Sequence, residues 1–120
     1  RVVHGGVVAT LADTAGGIAA LLASPPDSLV LTIEMKINFL EAVDRGELRA
    51  DARVLRQGRT ISVVDCEITD GQRRLVGKAL MTFAIIVPRH TPAGKGPKRD
   101  SKRIPVTARS IRRERPPRRL

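Results

Sequence analysis

The sequence predicts an α+β domain in which one apolar helix lies against an antiparallel sheet. Three observations predict it. Residues 7–22 form an apolar run with helical spacing. Four strand-like segments follow, ending near Val87. Each of those segments carries one apolar face, so a sheet built from them can wrap the helix.

The helix is read from Val8, Leu11, Ala15, Ile18 and Leu22, which make an apolar stripe. A second face is small: Thr10, Asp13, Gly17 and Ala20, where only the acid is not small. Gly16 and Gly17 inside a helix cost about 1 kcal/mol each relative to alanine, which predicts close approach of a backbone or a ligand. Ser24-Pro25-Pro26-Asp27 ends the helix. In the first strand Leu31, Ile33, Met35, Ile37 and Phe39 alternate with Thr32, Glu34, Lys36 and Asn38, predicting one buried face with Thr32 on the polar one. Leu48, Ala50, Ala52 and Val54 mark the second strand, and Gln57-Gly58 the turn after it. Thr60 to Thr69 is the third, and Asp70-Gly71 signals a hairpin. Leu75 to Val87 is almost continuously apolar, as expected of a central or interface-buried strand.

Charge divides the chain. Residues 1–87 hold ten basic and ten acidic side chains, whereas residues 88–120 hold twelve and two. The net charge of +10 therefore belongs to the C-terminal segment, which also has six of the eight prolines. We read 1–87 as the folded domain and 88–120 as a basic, proline-rich disordered tail. Such a tail predicts only weak, salt-sensitive nucleic-acid binding and no specific nucleic-acid partner. Phe39 and Phe83 are the only aromatic residues, which argues against a base-stacking surface in the core. The single Cys66 excludes an intrachain disulfide and reads as a small buried hydrophobe. No apolar run approaches the ~20 residues of a membrane span, so a cytoplasmic protein without a membrane partner is expected. No metal-ligand spacing or phosphate-binding glycine loop is present, and no cofactor is expected.

The chemistry concentrates at the helix start. His4-Gly5-Gly6 opens the helix, and Asp13, two turns on, is the only acid before Pro26. A helix start offers free N–H groups and a positive dipole end, suited to a developing oxyanion. An acid in an apolar helix is costly unless it is used or paired. Together they suggest acyl chemistry, with the N–H of Gly5 or Gly6 as oxyanion donor and Asp13 as general base or nucleophile.

His-Gly-Gly followed by Leu11-x-Asp13-x-Ala15, then the strand Leu31–Leu40 and the hairpin Val54–Thr60, resembles hotdog-fold acyl-CoA thioesterases of the phenylacetate-pathway type. The resemblance covers residues 2 to about 87 and implies a hotdog domain whose first strand is missing. It implies that Gly5 makes the oxyanion contact and that Asp13 carries catalysis. It also implies that Thr32 helps place the water, and that Arg56 and Arg59, with Gly58 and Thr60, hold the CoA arm. His4 is expected to position the loop. A homodimer or homotetramer, with each site built across two subunits, is implied as well. Two rivals stay open: a hydratase or dehydratase on the same fold, and a non-catalytic acyl-CoA-binding module whose tail reaches nucleic acid.

Overall fold

A computed structural model describes residues 2–89. The tail assigned to 88–120 lies almost wholly outside the described residues. Helix α1 spans Gly5–Leu22, followed by strands β1 (Leu29–Phe39), β2 (Leu48–Gln57), β3 (Ile61–Asp70) and β4 (Leu75–Ile86). All pairings are antiparallel and the order across the sheet is β1-β4-β3-β2. The helix packs against all four strands. The apolar β4 is central, as its composition predicts.

The core-facing stripe of α1 differs from the expected one. Val8, Ala12, Gly16 and Ala20 are its buried residues, while Ile18 and Leu22 are exposed. Small side chains win this face because the helix nests closely in the sheet. A Cβ on Gly16 would collide with Met81 Cε and sit 3.1 Å from Phe83 Cζ. The larger residues are pushed to the outer side. By length and composition α1 is apolar enough to cross a membrane, contrary to expectation. The expectation underweighted a run of alanine, glycine and valine. The buried stripe of this helix lies against the sheet.

The alternation expected for β1 breaks once. A β-bulge between Thr32 and Glu34 inserts Ile33 as an extra residue, and a bulge reverses the faces on its two sides. Met35, Ile37 and Phe39 oppose Met81, Ala79 and Gly77 on the helix side, as predicted. Before the bulge, Val30 and Thr32 face the helix, opposite Ile85 and Phe83. Leu29 and Leu31 face outward, opposite Ile86 and Ala84. Thr32 is thus not on the outer polar face. A second bulge, at Leu55, leaves Arg56 paired with Val63 on the outer face.

Beneath α1 the buried residues include Val64, Cys66, Ile68, Val76, Ala79, Met81 and Phe83. Cys66 is fully buried, and burial, aided by neighbouring Asp65, pushes its thiol up to about 11. The β3–β4 turn is pinned by Asp70. Its carboxylate accepts the N–H groups of Gln72 and Arg74, each at 2.9 Å, and pairs with the Arg74 guanidinium at 2.7 Å. These bonds, led by the Arg74 N–H, hold the Asp70 carboxyl below its ordinary value. They also compensate the positive φ of Arg73 (65°), a conformation that costs a non-glycine residue energy. On the outer face Lys78 bridges Asp65 and Glu67 at 2.8 Å each, which raises its ammonium above the ordinary value.

Candidate functional site

The helix start is built by His4. Its extended backbone (φ −66°, ψ 136°) makes it the N-cap, and its Nδ1 accepts the Gly6 N–H at 2.9 Å. An N-cap side chain satisfies one of the helix's orphan donors. Val7 N–H is likewise spoken for, by the His4 carbonyl at 2.9 Å. Gly5 N–H has no hydrogen-bond partner among the described residues. Of the two glycine donors the sequence left open, Gly6 is therefore occupied and Gly5 is available. The Phe39 ring lies against Gly5, 3.2 Å from where a Cβ would be. A pocket of about 370 Å³ adjoins it, lined by Val3, Val8, Leu40, Val43 and Val76 among others.

Asp13 lies two turns along. It is half-buried and accepts a hydrogen bond from Thr32 Oγ1 at 2.8 Å. Two local features produce this pair. The bulge at Ile33 turns Thr32 to the helix side, and the small residues of α1 bring the helix close enough for a short side chain to reach. The acid uses one oxygen, Oδ1, in this bond. The pair opens into a groove between α1 and β1 of about 360 Å³, lined by Gly17, Ile18, Leu21, Leu29, Val30 and Phe83 among others.

Arg56, Gly58, Arg59 and Thr60 belong to the β2–β3 hairpin. Gly58 N–H donates to the Ile61 carbonyl at 2.7 Å, and a Cβ there would come within 2.8 Å of that oxygen, so the turn requires glycine. The Thr60 carbonyl accepts Ile85 N–H at 2.8 Å. Gly58 and Thr60 thus have backbone roles in the turn. Arg56 and Arg59 are exposed and make no ion pair among the described residues, leaving both guanidiniums available for an anion. The hairpin is tied to the end of α1 by Gln57 Nε2 donating to Ser24 Oγ at 3.2 Å.

The predicted residues therefore form three groups rather than one site. His4, Gly5 and Gly6 are at the helix start, Asp13 and Thr32 at its middle, and the arginines at the hairpin. Gly5 and Asp13 are eight residues apart on α1, about 12 Å at 1.5 Å per residue. An oxyanion donor must reach the carbonyl oxygen, and a general base the attacking water. Within one chain these two groups stand well apart along α1. Sequence reasoning missed Phe39 and Phe83 as neighbours of these groups. Both stand in apolar runs, and only the strand register reveals what they oppose.

Comparisons with known proteins bear on the family and the fold. A model of the thioesterase superfamily matches residues 1–77. A Saccharolobus solfataricus protein provisionally named an esterase is 39% identical over 85 residues, 71% of this chain and 60% of the relative. A 1,4-dihydroxy-2-naphthoyl-CoA hydrolase of Listeria monocytogenes is 32% identical over 82 residues, 68% of this chain and 67% of the relative. A crystal structure of a Haemophilus influenzae thioesterase superposes with a TM-score of 0.70 at 29% identity, covering 75% of this chain and 64% of that one. The chain thus spans less than two thirds of the archaeal relative's length.

Proposed function

Because this chain belongs to the thioesterase superfamily and has its hotdog fold, we propose that it hydrolyses an acyl-CoA thioester to the free acid and CoA. The observation that carries the reading is the Asp13–Thr32 pair, 2.8 Å apart in a groove whose other lining is mostly apolar. The coenzyme comes from likeness: one relative is named a 1,4-dihydroxy-2-naphthoyl-CoA hydrolase. The His4-Gly5-Gly6 to Asp13 spacing supports the phenylacetate-pathway subtype.

In this reading Asp13 Oδ2 takes a proton from water while Thr32 steadies Oδ1. The water oxygen attacks the thioester carbonyl, and the oxyanion that forms accepts the Gly5 N–H at the positive end of α1. The C–S bond then breaks, and the CoA sulfur leaves with the proton that Asp13 held. Direct attack by Asp13 on the carbonyl is the other route. Direct attack expels CoA and leaves an acyl–Asp13 anhydride that water must open, so in single turnover in 18O-water label found in the Asp13 carboxylate identifies that route, whereas water attack on the thioester labels the product acid alone. The separation of about 12 Å between Gly5 and Asp13 along α1 supports a working unit of at least two copies, with Gly5 from one copy facing Asp13 from another. Arg56 and Arg59 are the candidates for the CoA phosphates.

The test is direct. Purified protein is incubated with a panel of acyl-CoA thioesters, and released CoA is read with a thiol reagent. Turnover of at least one thioester is expected, together with a dimer or tetramer by light scattering. A protein that binds these thioesters but releases no CoA is the non-catalytic module instead.

A further inference from the structure

The two glycines inside α1 have different reasons to be there. Gly16 is explained by packing, because Met81 and Phe83 occupy the space a Cβ would need. Gly17 is not. A Cβ there would meet only Phe83 Cε1, at 3.7 Å, an ordinary contact. Its φ is helical, so no turn requires it. A glycine in a helix interior is a poor choice relative to alanine unless something else uses the space. What lies beside Gly17 is the groove between α1 and β1, and one turn earlier on the same helix is Asp13. From Asp13 and Thr32 the groove runs past Gly17 and Phe83 to Ile18, Leu21, Leu29 and Val30. No basic side chain lines it.

Building on the hydrolase reading, the geometry points to this groove as the acyl-binding subsite, with Gly17 as the residue that sets its width. The substrate class is a thioester with a compact, uncharged, apolar acyl group. A terminal carboxylate on the acyl chain would find no cation in the groove and would approach Asp13. A volume of about 360 Å³ lies at the small end of the ~300–1,000 Å³ typical of ligand sites. The acyl carbons nearest the thioester pass over Gly17, so a side chain there blocks the groove close to its mouth.

The experiment uses S-alkyl-CoA thioethers, from ethyl to octyl, which bind but cannot be hydrolysed. Their affinities for the full chain are measured by calorimetry, beside Gly17→Ala and Gly17→Leu, with melting temperatures of all three. For the wild-type protein each methylene that enters the groove should tighten binding about fourfold. Gly17→Ala should melt no lower than wild type yet lose affinity progressively as the chain lengthens, and Gly17→Leu should abolish the gain from chain length. Wild-type affinity that does not depend on chain length overturns the assignment. So does a chain-length dependence that both variants keep, or a Gly17→Ala protein that melts lower without changing it. Because thioethers are not turned over, the outcome is independent of hydrolysis. Binding with the expected pattern in a protein that cleaves no acyl-CoA would preserve the subsite and refute the hydrolase.

Discussion

Asp13→Asn separates chemistry from structure more cleanly than any other substitution in this chain. The asparagine amide keeps a carbonyl oxygen where Oδ1 now accepts the Thr32 hydroxyl at 2.8 Å, so the contact between α1 and β1 survives. What is lost is the difference between a charge-assisted and a neutral hydrogen bond, roughly 1 kcal/mol at a half-buried site. For a domain of this size that lowers the melting temperature by about 4–8 °C. Catalysis should suffer far more. A positioned general base contributes typically ~10²–10⁴-fold, about 2.7–5.5 kcal/mol of barrier. The assay is CoA release with a thiol reagent, read as kcat/KM. Cys66 does not add a background to it, being fully buried with its thiol pushed up to about 11. Thr32→Val gives the complementary result, leaving the carboxylate but removing its donor, and is expected to slow turnover less than Asp13→Asn does. If Asp13→Asn kept more than about a tenth of wild-type kcat/KM, a loss under ~1.4 kcal/mol, Asp13 would be a structural partner of Thr32 and nothing more.

Three further outcomes are expected. Gly5→Val forces a branched side chain against the Phe39 ring and into the space of the thioester oxygen, and should inactivate the protein. Mixed one-to-one with Asp13→Asn and allowed to exchange subunits, it should recover roughly a quarter of wild-type turnover, the share of sites pairing an intact Gly5 with an intact Asp13. No recovery despite subunit exchange would mean that one copy supplies both groups. His4→Ser should keep the helix cap and most activity, whereas His4→Ala should lose about 1 kcal/mol of stability; an inactive but stable His4→Ser would make the imidazole a participant in the chemistry. The Asp70 carboxyl sits below its ordinary value in the fold, so its contribution is fully present above the ordinary carboxylate range and is lost as pH falls through the depressed value. Melting temperature should therefore drop below about pH 4, and drop less steeply in Asp70→Asn, in which that titration is removed; parallel curves would show that other carboxylates drive the acid loss.

The architecture was legible because its signals are local and repeated. One helical run and four strand runs sufficed for the element order, and Asp70-Gly71 marked the β3–β4 hairpin correctly. The face of α1 that turns inward was not legible by hydrophobicity. Ile18 and Leu22 outrank Gly16 and Ala20 on any apolar scale, yet they are exposed while Gly16 and Ala20 are buried. Burial here follows the distance between helix and sheet, and that distance is set by residues far off in sequence, Met81 and Phe83 above all.

The same limit explains Thr32. Residues 29–33 of β1 read Leu-Val-Leu-Thr-Ile, with apolar side chains on both faces, so alternation cannot fix which face is inner. The unambiguous alternation from Glu34 to Phe39 was extended backwards across a bulge that leaves no mark in composition. Pairing decides it: Thr32 opposes the buried Phe83, and whatever opposes Phe83 on a neighbouring strand faces the helix. Had the strand been regular, Ile33 or Leu31 would point at Asp13, and the acid would be left among apolar groups without a donor, at a cost of about 1–3 kcal/mol or more. The bulge thus does for Asp13 what the small stripe of α1 does for the approach of the helix. It places a polar group at one point of an apolar contact, and the proposed chemistry depends on that point.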